Sequence, residues 1–317
     1  MKQVAQRQSP VAGTLVGIIT YNPDLTVLQL LLERVSGGNS DVLVYDNASK
    51  NVKSIVTLCG GVPGCSVVSG EENIGISGAA NAIFETAASE SKEFVLLFDQ
   101  DSIPEVGYSE ILVAAYRKLR RQGVNVAALG GLQTCRFTNY DQPFVQFGKW
   151  RARKILPERC GDPIPADFLI TSGTLISTQS LKKIGGYDSQ LFIDNVDVEW
   201  CSRAIALSYR IFGVPGAKFT HTVGENRATF FGVQLAKQHS PARTFYIYRN
   251  ILILSQRAYV STAWKINATV RAFLKMLFLA FFDRARIAHL KAIFAAVRHE
   301  RLKKTLTEVR SQAVVEL

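Results

Sequence analysis

Phe94-Val95-Leu96-Leu97-Phe98-Asp99-Gln100-Asp101 is the stretch on which the reading of this 317-residue chain turns. Five apolar residues run without interruption into two carboxylates one residue apart, with Ser102 and Pro104 close behind. A short apolar run closed by polar and turn residues predicts a strand buried on both faces. Carboxylates at the carboxyl end of such a strand stand at the edge of an open α/β sheet, where ligands dock. An Asp-x-Asp pair there can hold a hard divalent cation, and the cation can hold a diphosphate. Two aspartates this close repel each other unless a cation or a hydrogen-bonding ligand joins them.

The neighbouring segments supply a sheet for that strand. Residues 14–20 (TLVGIIT), 42–45 (VLVY), 65–68 and 126–129 read as further short strands. Between them, residues 23–35 carry Leu25, Leu28, Leu32 and Val35 at helical spacing, with Pro23 suited to the first turn. Residues 77–88 and 108–122 read as two more helices, the second ending in Arg117, Lys118, Arg120 and Arg121, as a helix C-terminus favours. The β-α-β-α order predicts an α/β fold with a mostly parallel sheet covered by helices on both faces. Beyond Gly130 the pattern loosens. Residues 137–165 read as loop, 168–176 (FLITSGTLI) as a strand, 197–208 as a helix, 210–214 as a strand, and 243–310 as helical.

At 47% hydrophobic residues the chain can bury a substantial core, which excludes a disordered protein. The five cysteines (Cys59, Cys65, Cys135, Cys160, Cys201) show no repeated metal-ligand spacing. With no signal-peptide pattern at the start, they predict free thiols and a cytoplasmic setting. The net charge of +11 is unevenly placed. Up to residue 239 there are 23 basic and 22 acidic residues, whereas residues 240–310 hold 14 and 3. Nucleic-acid binding would therefore have to reside in the C-terminal region. No segment reads as membrane-spanning: the most apolar stretch, 272–282, contains Lys275 and is half the ~20 residues a spanning helix needs.

Four strand ends or loops converge on one edge of the predicted sheet. They are Thr20-Tyr21-Asn22-Pro23, Asp46-Asn47-Ala48-Ser49, Asn73-Ile74-Gly75-Ile76-Ser77-Gly78 leading to Asn81, and Asp99-Gln100-Asp101. Tyr21 can pack on a nucleobase, and Asp46 can accept the imide N–H of uracil or thymine. Gly75 and Gly78 let backbone approach a diphosphate at a helix N-terminus. Further on, Asp194, Asp197 and Glu199 cluster at a predicted helix start, where the dipole favours negative charge. A carboxylate fixed there can take a proton from an attacking hydroxyl. Glu199 and Arg203, spaced i,i+4, read as a structural pair. His221, with the Asp-x-Asp carboxylates, would complete a site for Mg²⁺ or Mn²⁺, the imidazole favouring Mn²⁺.

In this order the motifs resemble those of the family 2 inverting glycosyltransferases, which have the GT-A fold. The carrying residues include the four loops above, Ser172-Gly173, Gly185-Gly186-Tyr187-Asp188, the segment from Asp194 to Trp200, and His221. The resemblance covers residues 13–250 and is strongest to the bacterial rhamnosyltransferase branch. That branch shares Asp-Gln-Asp-Ser and Phe-Ile-Asp-x-Val-Asp-x-Glu-Trp-Cys, with a later element matched here by Arg243-Thr244-Phe245-Tyr246-Ile247-Tyr248-Arg249-Asn250. The resemblance implies a catalytic domain over 1–240 (nucleotide-sugar half about 13–130, acceptor half about 131–240), followed by a basic helical region over 241–317. It implies that Thr20, Tyr21, Asn22, Asp46, Asn73, Gly75, Asn81, Asp99 and Gln100 bind the nucleotide-sugar. Asp101, Asp99 and His221 would hold the cation, Asp197 would act as base, and Ser172, Gly173, Asp194 and Trp200 would line the acceptor side. The implied donor is a nucleoside-diphosphate sugar, dTDP-rhamnose foremost and UDP-galactofuranose or another UDP-sugar next. The implied acceptor is a glycan or lipid-linked hydroxyl. Where relatives carry a more Gly/Ala-rich run, this chain has Ser77-Gly78-Ala79-Ala80.

Residues 264–304 alternate apolar clusters with basic residues, as an interfacial helix on an anionic membrane does. The expectation is a peripheral protein at the inner face of the bacterial cytoplasmic membrane, with a homo-oligomer contact as the competing use of the same helices. Two rival functions remain. A sugar nucleotidyltransferase would want a basic, Gly-rich loop after the first strand, which Gly17-Ile18-Ile19-Thr20-Tyr21-Asn22 lacks. A nucleic-acid-binding protein would leave the acidic clusters without a role.

Overall fold

The computed structural model describes residues 13–36, 41–136, 140–157, 161–221, 229–230, 233–234 and 239–315. The chain divides into two compact units. One comprises Met1–Gln146, Arg153–Phe192 and Val196–Val223; the other comprises Phe147–Ala152, Ile193–Asn195 and Gly224–Leu317.

The first unit is built on β1 (Thr14–Thr20), β2 (Asp41–Asp46), β3 (Cys65–Ser69) and β4 (Phe94–Asp99), all parallel. Helices α1 (Leu25–Val35), α2 (Val52–Gly60) and α3 (Gly75–Ser89) make the crossovers. Helix α1 begins two residues later than its sequence suggests. Asp24, not Pro23, starts it, its carboxylate accepting the N–H groups of Thr26 and Val27. Helix α2, nine residues long, is not among the helices read from sequence. Strand β5 (Ser102–Pro104) follows the Asp-x-Asp directly, and α4 (Tyr108–Arg121) follows it.

The rest of the sheet comes from β6 (Val126–Cys135), β9 (Ile164–Ala166), β10 (Thr174–Ser177) and β11 (Arg210–His221). The order is β3-β2-β1-β4-β10-β6-β11-β5, with β9 on the side of β11. Strand β10 runs antiparallel to both β4 and β6, while β11 runs parallel to β6, so the sheet is mixed but mostly parallel. A separate ladder joins β7 (Phe144–Phe147) to β8 (Ala152–Ile155). The segment read as loop over 137–165 therefore contains three short strands. Helices α5 (Thr178–Ile184) and α6 (Val196–Ala206) pack on the sheet. The core holds Val16, Ile18, Leu28, Leu32, Val44, Phe94, Leu96, Phe98 and Phe219, all sealed from solvent.

One expected strand is largely absent. Of residues 168–176, only the part from Thr174 onward joins the sheet. Gly173 sits at φ +75°, a conformation open to glycine, and donates its N–H to Leu97 O at 2.7 Å. The chain turns there, which places Ser172 beside the end of β4. Strand β6 runs six residues past its expected end because β11, realigned by an irregularity between Val214 and Lys218, continues beside it to His221. Cys59, Cys65, Cys135 and Cys201 are free thiols; Cys160 lies outside the described residues.

The second unit contains short β12 (Thr229–Phe230) and β13 (Val233–Gln234), then α7 (Pro241–Gln256), α8 (Thr262–Phe282) and α9 (Arg286–Val315). Ser240 caps α7, accepting the Arg243 N–H, and Pro241 occupies the first turn. The helices close on Tyr248, Ile293 and Ala296, with Phe245, Ile247, Ala272 and Met276 packed around them. Tyr248 donates its hydroxyl to Ala272 O at 2.6 Å, and Thr244 Oγ1 lies 2.9 Å from His289 Nδ1 in the interior. The helical stretch read as continuous breaks twice, at the extended residues Arg257 and Asp283.

Candidate active site

Strand register assembles the site. Thr20 pairs with Asp46, Asp46 with Ser69, and Ile19 with Asp99, so the ends of β1 to β4 align on one sheet edge. Across the sheet, β11 pairs with β5 so that His221 faces Ser102. A residue 120 positions away in sequence thus arrives beside the Asp-x-Asp.

The result is a compact group. Ligand atoms of Asp99, Asp101 and His221 all lie within 4.8 Å of one another, each residue partly open to solvent. His221 Nδ1 is 3.5 Å from Asp101 Oδ1. Two carboxylate oxygens and an imidazole nitrogen make a donor set that Mg²⁺ or Mn²⁺ accepts, so these residues fit a divalent cation. Behind them Ser172 is buried. Its Oγ accepts the Asp99 N–H at 3.0 Å and donates to Ser102 Oγ at 2.7 Å. The Ser172 hydroxyl thus supports the carboxylate loop.

The loops after β1, β2 and β3 interlock. Tyr21 presents a ring 50% exposed, available for stacking. Its backbone is gripped by Gln100: the amide oxygen accepts the Tyr21 N–H at 2.7 Å, and the amide nitrogen donates to Tyr21 O at 3.3 Å. Gln100 therefore positions the loop after β1 from within the Asp-x-Asp. Thr20 and Asp46 are fully buried. The Asp46 carboxylate accepts hydrogen bonds from the hydroxyls of Thr20 and Ser49 and from the Ser49 N–H. Asn22, at φ +47°, donates its N–H to Ser49 Oγ and accepts the Lys50 N–H. Asn73 Oδ1 accepts the Gly75 N–H at 2.9 Å. Gly75 sits at φ +76°, and a Cβ there would stand 2.4 Å from Phe192 O, so glycine is required. Asn47 ties the second loop to the third, donating to Gly75 O and accepting the Ile74 N–H.

Asp197 opens α6 and is partly buried, its Oδ1 accepting the Val198 N–H. Burial pushes the Tyr187 hydroxyl upward in pKa, a hydrogen bond with Thr171 opposes that, and the charges of Asp197 and Asp99 add to the rise. The proposed base and the first carboxylate of the Asp-x-Asp therefore both bear on one buried phenol.

Four residues stand elsewhere than expected. The Asn81 amide bonds both the N–H and the C=O of Tyr187, bracing the Gly186-Tyr187 turn. Gly173 packs under Tyr108, whose hydroxyl donates to its carbonyl. Trp200 is a core residue, its indole N–H donating to Gly185 O at 2.8 Å. Asp194 precedes α6 instead of opening it, and belongs to the second unit. There, at φ +64°, it takes a two-pronged bond from Arg243, both distances 2.8 Å, while Asn250 donates to Ile193 O and Asp194 O. Glu199 and Arg203 form the structural pair read from their spacing. Sequence reasoning missed Ser102 as a site residue; the available signal was its place directly after the Asp-x-Asp.

The fold is of the GT-A type, and the sequence profile "Glycosyl transferase family 2" matches residues 15–185, more than half the chain. The chain belongs to that family and is a glycosyltransferase. Among characterised proteins it is 25% identical over 285 residues to the dTDP-rhamnosyl transferase RfbF of Shigella flexneri, covering 86% of this chain and 90% of that one. Among solved structures it resembles S. aureus TarS 1-349 in complex with UDP-GlcNAc (TM-score 0.53, 14% identity, 90% of this chain and 80% of that one). It also resembles GalNAc-T7 with UDP, GalNAc and Mn²⁺ (TM-score 0.53, 12% identity, 83% of this chain). The chain spans 57% of the GalNAc-T7 chain and 44% of a longer TarS chain.

Proposed function

We propose that this glycosyltransferase moves L-rhamnose from dTDP-rhamnose, with inversion, onto a hydroxyl of a glycan or lipid-linked acceptor in cell-surface polysaccharide synthesis. The observation that carries the reading is the meeting of Asp99, Asp101 and His221 at the edge where the β1 to β4 loops end. The similarity to a dTDP-rhamnosyl transferase supports the donor. In this reading the Tyr21 ring stacks on the base, and the Asn73-Gly75 turn admits the diphosphate close to backbone. Asp197 takes the proton as the acceptor oxygen bonds to the anomeric carbon and the bond to the diphosphate breaks. One side-chain base suffices, unlike the carboxylate pair of a glycoside hydrolase. A divalent cation held by Asp99, Asp101 and His221 would neutralise the charge growing on the departing diphosphate. A second reading, with a UDP-sugar as donor, is favoured only by the likeness to the UDP-GlcNAc complex of TarS.

Calorimetric titration with dTDP-rhamnose and Mn²⁺ tests this. We expect Asp101→Ala to weaken binding at least about tenfold, as losing a charged contact does. Unchanged binding would refute the cation-assisted donor site, and a tighter fit to a UDP-sugar would reassign the donor.

We further propose that the second unit meets an anionic membrane. On α8, Ile266, Val270, Phe273, Leu274, Leu277 and Phe281 are exposed along one helical face. Arg271, Arg284, Arg286 and Lys291 are exposed nearby, and the only carboxylate over residues 262–299, Asp283, is buried. A second copy of so basic a surface would repel the first, whereas anionic lipid complements it. No helix among the described residues is long and apolar enough to cross a membrane, so binding would be peripheral. The full chain should float with vesicles containing phosphatidylglycerol and not with phosphatidylcholine alone, and Phe273→Ser/Phe281→Ser should lose flotation. Equal flotation of the variant would exclude this face.

A further inference from the structure

We infer that Ser102 and Ser172 form a two-hydroxyl relay that positions His221 for the cation. This rests on the cation reading above. The links are continuous: the Asp99 N–H donates to Ser172 Oγ (3.0 Å), Ser172 Oγ donates to Ser102 Oγ (2.7 Å), and Ser102 Oγ lies 2.7 Å from His221 Nδ1. Both serines are buried, Ser102 fully. The chain joins three segments remote in sequence: the end of β4, the turn before β10, and the end of β11.

Each hydroxyl is bonded inside a buried chain, and alanine would remove that polar link with only a small loss of volume. What the hydroxyls supply is direction. A serine both donates and accepts, so Ser102 satisfies Nδ1 whether or not that nitrogen carries a proton. Engaging one ring nitrogen fixes the rotation of the imidazole. Outer partners of this kind set how well a histidine serves a metal. The β5–β11 ladder places Ser102 and His221 opposite each other, so strand pairing sets the geometry before any ligand arrives. Because the same Ser172 oxygen accepts the Asp99 N–H, the relay orients the first carboxylate's backbone together with the imidazole. Ser102 and Ser172 are positioning residues, acting through His221 and Asp99.

Mn²⁺ titration of the full chain followed by electron paramagnetic resonance, with dTDP present, tests the relay without turnover. Ser102→Ala and Ser172→Ala are each expected to weaken Mn²⁺ binding about 10–100-fold, and His221→Ala to weaken it at least as much. Thermal melts run alongside separate stability from affinity: a purely structural role would lower the melting temperature and leave the Mn²⁺ affinity unchanged. The two variants break different links, so one that fails to fold leaves the other decisive. Wild-type Mn²⁺ affinity in a folded serine variant, with His221→Ala impaired, would overturn the relay and leave the cation site standing. Wild-type affinity in His221→Ala would overturn the cation site and the relay with it.

Discussion

Asp197→Asn is expected to lower sugar transfer by about 10²–10⁴-fold, the usual worth of a positioned general base, while the affinity for dTDP-rhamnose stays within about twofold. The amide keeps the size and hydrogen-bonding reach of the carboxylate but cannot take a proton. Asp197 Oδ1 accepts the Val198 N–H in the first turn of α6, and the Asn oxygen can keep that bond, so the helix start should survive. The cation group has supports of its own: Asp99 ends β4, His221 ends β11 opposite Ser102, and Asp101 lies in the turn between β4 and β5. The measurement is a single-turnover transfer assay set beside calorimetric donor titration. Transfer at the wild-type rate would remove Asp197 from the mechanism. Transfer and donor binding falling together would instead place it in the donor site.

The second large effect concerns stability. Arg203→Ala is expected to destabilise the fold by about 3–5 kcal/mol, the cost of leaving a buried charge uncompensated. The Glu199 side chain is 1% exposed, and both its oxygens receive Arg203 N–H donors at 2.9 Å. The same guanidinium donates to the carbonyls of Ile184 and Gly186, pinning the end of α5 to α6. Its removal strands one carboxylate and two carbonyls. Urea unfolding followed by circular dichroism should show the midpoint fall, with most of the loss recovered in Glu199→Gln/Arg203→Met, where no unpaired charge remains. A change below about 1 kcal/mol, the range of exposed pairs, would show that solvent reaches Glu199.

Much of this arrangement was legible before any coordinates, for physical reasons that differ by element. Strands β1 and β4 announced themselves because both faces are buried and the apolar runs are unbroken. The acidic pair and His221 could be grouped from sequence by ligand chemistry and by the family pattern but not by position, since their meeting depends on β11 running beside β5. Ser102, visible in the motif, showed no role there for the same reason: a buried serine is defined by its partners, and those lie 70 and 119 positions away. Asn81 and Trp200 misled because asparagine and tryptophan suit ligand contacts and tertiary braces equally. Here each satisfies backbone groups around the Gly185-Gly186-Tyr187 turn. The strand expected across Ser172-Gly173 failed because β-branched neighbours outweighed one glycine in the pattern, while sterics under Tyr108 decided the outcome.

The grip of Gln100 on Tyr21 carries a lesson about the middle letter of the acidic motif. A Tyr21 N–H needs an acceptor and a Tyr21 carbonyl takes a donor, both from one side chain reaching out of the next strand. Glutamate has no donor, lysine no acceptor, and asparagine is a methylene too short. The glutamine of Asp-Gln-Asp thus ties the acidic motif to the loop after β1, and a relative with another middle residue must fasten that loop by different means.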